Sequence, residues 1–317
     1  MTTARSQLIS VEATPYYHCV SRCVRRGYLC GYNKEMNISY EHRRDWIEQK
    51  IESLSYAFCI DICAYAIMSN HYHLVLHINQ DKALALSPIE VAKRWELNHK
   101  LPPLISRWVK GEILHHIEER KCLSIIDIWR KRLWDLSWFM KELNYDIACR
   151  ANKEDECTGH FWESRFKSQA LLDEKALAAA MAYVDLNPVR SGIANSPEES
   201  EFTSIKNRIN TYNQTKKTTW LYSLRDASTS NSNTLPFDTL DYIEFVDWTA
   251  RQIRSGKYSI SNNLPPILQR LGFATDKWLQ ATTHLEKPHL TAVGSSSVIL
   301  HATKALGKTK MFTYCLD

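Results

Sequence analysis

Two short constellations in the chain hold side chains able to do chemistry. The first is His71-Tyr72-His73. On a β-strand, residues i and i+2 point to one face about 6.6 Å apart, close enough for two imidazoles to share a metal ion. Tyr72, Leu74, Leu76 and Ile78 would then line the opposite, buried face. His77 falls on the histidine face too, but about 13 Å along the strand from His71, too far to complete the same site. The competing reading is a polar strand face carrying unremarkable histidines. The second constellation is Tyr183 with Asn187, four residues apart in a segment that reads as a helix. They lie about 40° apart on the helical wheel, to one side of the Leu177, Met181, Val184 stripe. A phenol that can act as a nucleophile and an amide oxygen that can ligate a metal would thus project from one flank. The competing reading is a tyrosine packed beside the core and an asparagine that caps the helix before Pro188.

The elements that must position these residues follow from periodicity. Residues 15–24 (PYYHCVSRCV) suit a first strand. Residues 41–58 carry Trp46, Ile47, Ile51, Leu54 and Phe58 at helical spacing. Two apolar runs, 59–68 and 71–78, are separated by Ser69-Asn70 and predict a hairpin whose second strand bears the histidines. Pro88, Pro102 and Pro103 interrupt residues 79–123, which read as short helices and loop. From 125 onward Trp129, Leu133, Leu136, Met140, Leu143 and Ile147 form one seam of a single long helix. Residues 160–171 read as a strand, and 173–187 as a helix stopped by Pro188. Residues 195–236 are rich in Ser, Thr and Asn, including the run ASTSNSNT at 227–234, and read as a linker. A further stripe (Leu240, Ile243, Val246, Ala250 and Ile253) follows. The expected layout is an α+β domain over 1–195, a polar linker over 196–236, and a smaller helical accessory region over 237–317.

Composition narrows the function. With 44% hydrophobic and 24% charged residues, the chain is that of an ordinary globular protein. Nine cysteines form no CxxC pair, and nine glycines provide neither GxGxxG nor GxxxxGK[ST], so nucleotide-binding readings lose their main support. No apolar run approaches the ~18 residues of a membrane span, and the N-terminus lacks the apolar stretch of a secretory signal, which makes the cytoplasm the expected location. A net charge of +5 permits an anionic partner without requiring one. Its basic groups gather at Arg22, Arg25 and Arg26, at Arg130 to Arg132, and at Arg165 and Lys167 behind the pair Phe161-Trp162.

The stretches YAIMSNHYHLVLHI, GHFWESRFKSQALL and YVDLNPVRSGIA, in this order, resemble the single-tyrosine HUH transposases, and in particular the branch of REP-associated tyrosine transposases. The resemblance spans roughly residues 16–195. The chain departs from the pattern at Ser69, where many members carry Pro, and in the lengths of segment 80–121 and of the C-terminal region. The resemblance implies a ferredoxin-like or RRM-like antiparallel sheet with packed helices. It implies His71, His73 and Asn187 as ligands of a divalent metal, Mg²⁺ or Mn²⁺, and Tyr183 as the nucleophile. The activity implied is cleavage and rejoining of single-stranded or hairpin DNA through a 5′-phosphotyrosine, which conserves the phosphodiester energy and needs no ATP. Arg22, Trp162, Arg165, Lys167 and Arg190 are the candidate DNA contacts, and a homodimer is compatible with this reading. The alternative is a domesticated protein that binds the hairpins of repeated elements without transferring strands.

Overall fold

In the computed structural model, which describes residues 8–24, 28–214, 220–225, 234–255, 264–285, 290–305 and 311–317, the histidine-bearing strand lies inside a six-stranded sheet. The N-terminal half contains β1 (Tyr16–Arg22), β2 (Tyr32–Asn33), β3 (Ile38–Ser39), α1 (Arg43–Ala57), β4 (Ile60–Ile67), β5 (His71–Ile78), α2 (Gln80–Ala85), α3 (Pro88–Glu96), α4 (Pro103–Val109), α5 (His116–Leu133) and α6 (Leu136–Glu154). There follow β6 (Lys167–Leu171), α7 (Glu174–Asp185), α8 (Asn187–Arg190), α9 (Ser204–Gln214), β7 (Leu224–Arg225), β8 (Leu235–Asp238), α10 (Thr239–Ser255), α11 (Pro266–Leu271), α12 (Thr275–His284), β9 (Ala292–Gly294), α13 (Ser296–Ala305) and β10 (Thr313–Cys315). The main sheet has the order β10-β9-β6-β1-β5-β4. β6, β1, β5 and β4 pair antiparallel, as expected for an α+β chain, while β9 joins β6 and β10 joins β9 in parallel.

Alternation along β5 sorts its side chains to two faces. Tyr72, Leu74, Leu76 and Ile78 are buried in a core shared with Ile47, Ile51 and Leu54 of α1 and Phe139, Met140, Leu143 and Ile147 of α6. The other face, with His71, His73 and Val75, is covered by α7. That helix is buried at every position from Ala176 to Asp185. Five alanines in this stretch (Ala176, Ala178, Ala179, Ala180 and Ala182) let its backbone approach the sheet on one side and α10 and α12 on the other. A helix apolar all round is the sequence signature of such sandwiching.

The single helix expected from residue 125 is two. Asp135 accepts hydrogen bonds from the Ser137 and Trp138 amides and caps α6, while the Leu133 carbonyl at the end of α5 accepts from the Cys59 amide. The continuous stripe therefore divides. Trp129 and Leu133 join a satellite core with Val91, Trp95 and Ile126, and Leu136 onward packs under the sheet. The helix expected to stop at Pro188 does end just before it, at Asp185, but Pro188 itself belongs to the next helix. It sits in the first turn of α8, where its missing N–H costs nothing and its fixed φ suits a helix start. The strand expected over 160–171 shrinks to β6 plus one bridge between Cys23 and Trp162. Within 196–236, α9, β7 and β8 are ordered elements, and most of the run at 227–234 lies outside the described residues. The region 237–317 is not purely helical. It supplies β9 and β10 to the sheet, and Tyr242, Phe245 and Trp278 share one core with α7.

Candidate active site

The antiparallel register sets Val20 opposite His73, His18 opposite Val75, and Arg22 opposite His71. Directly opposed residues share a face, so His18, Arg22, His71 and His73 all point toward α7. β6 adds Gln169, opposite His18. Three strands thus converge on one polar patch beneath an otherwise apolar helix.

His71 and His73 are adjacent, their ring centroids 4.7 Å apart and near perpendicular. His71, at the start of β5, is partly exposed, and its Nδ1 lies 2.6 Å from the Asn70 Oδ1. His73 is fully buried, with Nδ1 3.0 Å from His18 Nε2. Burial, together with the positive fields of His71, His18, Arg190 and Arg22, holds the His73 imidazole well below the ordinary histidine range. It is therefore neutral at physiological pH, the form in which histidine ligates a metal.

Tyr183 arrives from α7. Its ring is 5.7 Å from that of His73 and 5.9 Å from that of His18, edge-on to both, and only 3% of it is exposed. The Arg190 guanidinium lies over the Tyr183 ring, with Cζ 3.6 Å from the centroid. The same guanidinium donates to the Tyr183 carbonyl at 3.2 Å and to the Thr282 carbonyl of α12 at 2.8 Å. Asn187 opens α8 one helical turn after Tyr183 and is 93% buried (7% exposed). Its Nδ2 has no hydrogen-bond partner among the described residues, a cost in a buried amide unless the site engages that side chain.

Other expected contacts are placed differently. Arg165 and Lys167 are exposed at the entry to β6. Arg22 is half-buried at the end of β1 beside His71, and the neighbouring Arg25 and Arg26 lie outside the described residues. Trp162 is turned to the other side of the sheet. Its indole N–H donates to the Asn144 carbonyl at 2.8 Å, and its ring meets Tyr72 edge to face. His77 is remote from the pair, bonded to Asp61 at 2.9 Å and stacked on Tyr222.

Two residues escaped the sequence reading. His18 and Gln169 come from separate strands, and only the pairing register joins them to His73. The signal for His18 was its place on the alternate face of YYHCVSR; nothing local singled out Gln169.

Two imidazoles and an asparagine amide oxygen make a donor set of the kind that fits a hard or borderline divalent ion such as Mg²⁺ or Mn²⁺. Among the described residues, no group of three or more His, Cys, Asp or Glu is arranged to hold a metal; the further ligand candidate is the Asn187 amide expected from the sequence. Nor, among the described residues, is any helix long and apolar enough to cross a membrane.

No family model matches the chain, and no curated protein does. Among solved structures, the chain is similar to a REP-associated tyrosine transposase bound to a REP hairpin, at 14% identity and a TM-score of 0.35, over 74% of this chain and 97% of that one. At that level of likeness, the functional reading rests on the side chains themselves.

Proposed function

We propose that the chain is a metal-dependent transposase-like nuclease that cleaves and rejoins single-stranded or hairpin DNA through Tyr183. The observation that carries the reading is the meeting of His71, His73 and Tyr183 on one sheet face, with ring separations of 4.7 and 5.7 Å. A tyrosine buried only for packing needs no histidine pair beside it. A histidine pair held for structure alone needs no phenol.

In this reading His71 and His73 hold a divalent metal, with Asn187 as the third protein ligand, and the bound ion supplies Lewis-acid polarisation of the scissile phosphate. The protein's own residues do the rest. Tyr183 gives its phenolic proton to water carried in with the DNA, and the phenolate oxygen attacks phosphorus. The new P–O(Tyr183) bond forms as the bond to the 3′-oxygen breaks, and that oxygen leaves as a 3′-hydroxyl after taking up a proton. A 5′-phosphotyrosine remains. The reverse attack by a 3′-hydroxyl restores the phosphodiester and frees Tyr183 without a nucleotide cofactor. Arg190 keeps the phenol ring in place, while Arg165, Lys167 and Arg22 attract the DNA backbone. An unpaired strand suits the site because a tyrosine on a helix beside a sheet face can engage the phosphate of a single strand without opening a duplex.

The test is incubation of the full chain with 3′-labelled hairpin, single-stranded and duplex oligonucleotides in Mn²⁺. The expected result is metal-dependent nicking of the first two, with label retained on the protein in denaturing gels. Tight hairpin binding without nicking at any metal concentration would instead identify a binding protein.

A further inference from the structure

We infer that His18 is a positioning residue: aimed by Gln169, it fixes His73 with its Nδ1 proton turned inward and Nε2 as the nitrogen offered to the site. The inference deepens the proposed function and rests on it for the identity of His73 as a ligand.

The direction of the hydrogen-bond chain follows from one fact, that a backbone carbonyl can only accept. Leu285 O lies 2.8 Å from the Gln169 side-chain nitrogen, so that nitrogen is the donating NH₂ and the amide orientation is settled by its network. Gln169 Oε1 then faces His18 Nδ1 at 2.8 Å and must accept, which places the proton of a neutral His18 on Nδ1. Its Nε2 is left as an acceptor, 3.0 Å from His73 Nδ1. Two neutral imidazoles sharing one hydrogen bond divide it as one donor and one acceptor, so His73 Nδ1 donates. The lone pair of His73 is thereby set on Nε2.

All three side chains are 8% exposed or less. Water therefore does not compete for these protons, and the chain holds a single arrangement. His71 repeats the pattern with a simpler partner, its Nδ1 meeting Asn70 Oδ1 at 2.6 Å. Both imidazoles thus present the same nitrogen. Partners of this kind on the far nitrogen of a ligating histidine commonly set 10- to 100-fold of metal affinity. The chain is anchored outside the motif-bearing region, since Leu285 follows α12.

The experiment uses full-length protein labelled with ¹⁵N in its imidazoles, first without metal and then titrated with Mn²⁺ or its diamagnetic substitute Mg²⁺. In the metal-free wild type, the expected spectrum gives His73 a protonated Nδ1 and a pyridine-type Nε2. In His18→Phe, which keeps a ring of similar size, and in Gln169→Leu, His73 is expected to lose this single tautomer, with Mn²⁺ affinity down about 10- to 100-fold. A wild-type His73 protonated on Nε2 would overturn the inference, and Gln169→Leu serves if His18→Phe fails to fold. A wild-type tautomer and affinity kept in both variants would overturn it equally. The expected tautomer with no imidazole response to either ion would leave the relay standing and remove the ligand role of His73, so the two failures are distinguishable.

Discussion

Arg190 lies over the ring of Tyr183 with its Cζ 3.6 Å from the centroid, so the basic residue nearest the candidate nucleophile is committed to the protein rather than to DNA. Its two further hydrogen bonds, to the carbonyls of Tyr183 and Thr282, tie the end of α7 to α12. Arg190→Ala should therefore cost about 1–3 kcal/mol of stability by urea unfolding. Adduct formation should drop at least about tenfold through loss of ring placement. The salt dependence of hairpin binding should stay unchanged. A shallower salt slope with intact stability would return Arg190 to the role of phosphate contact.

Arg165 and Lys167 should behave in the opposite way. Both are exposed at the mouth of the sheet, and alanine at either should change stability by no more than about 0.5 kcal/mol. Each should lower the slope of log affinity against log salt by roughly one, as expected for one lost phosphate contact. Fluorescence anisotropy of a hairpin across a salt series measures this directly.

The C-terminal region should prove inseparable from α7, the helix that carries Tyr183. Asp185, at the end of α7, is fully buried and accepts hydrogen bonds from the Tyr242 hydroxyl at 2.6 Å, the Ile205 amide at 2.8 Å and the Ser204 hydroxyl. Tyr242→Phe removes one bond to a buried carboxyl and should cost about 1.5–3 kcal/mol. A chain ended after residue 210 loses α10, α12 and β9, which uncovers the outer face of α7. It should fail to give a cooperative unfolding transition. A folded, cleavage-competent fragment would show that 237–317 is a separate module.

A pH effect is expected at the other end of the sheet, at Asp61. Burial raises its pKa, but the hydrogen bond from His77 and the Lys82 ammonium more than offset this, and the carboxyl lies below its ordinary value. A depressed folded value means that the stabilisation is present above the unfolded pKa of about 3.9 and is lost as pH falls through the lower folded one. The stability gap between wild type and Asp61→Asn should therefore hold steady from pH 7 to about 5 and close below about 4. A gap that widens on acidification would contradict the assignment.

Most of the site was legible because it lies within elements of clear period. The alternation in HYHLVLHI put His71 and His73 on one face, whereas the four-residue step from Tyr183 to Asn187 spans a junction, since α7 ends at Asp185 and a new helix opens at Asn187. What stayed hidden depends on register or on competition between strong local signals. His18 meets His73, and Gln169 meets His18, only because β1 lies between β5 and β6, which no local pattern encodes. The break at Asp135 was masked by a stripe that continues unbroken through it, since a cap and a packing stripe can occupy the same residues. β9 and β10 are three residues each, too short for alternation to show. For Trp162 the sequence left base stacking and a structural role open, and its indole N–H bonds the Asn144 carbonyl while its ring meets Tyr72, contacts that come from distant segments.

The most direct test is to locate the covalent bond. Wild-type protein incubated with Mn²⁺ and a hairpin oligonucleotide, then digested and sequenced by mass spectrometry, should yield one DNA-modified peptide with the 5′-phosphate on Tyr183. Tyr183→Phe should yield none while binding the hairpin with wild-type affinity. Modification at another residue, or an adduct that persists in Tyr183→Phe, would contradict the account.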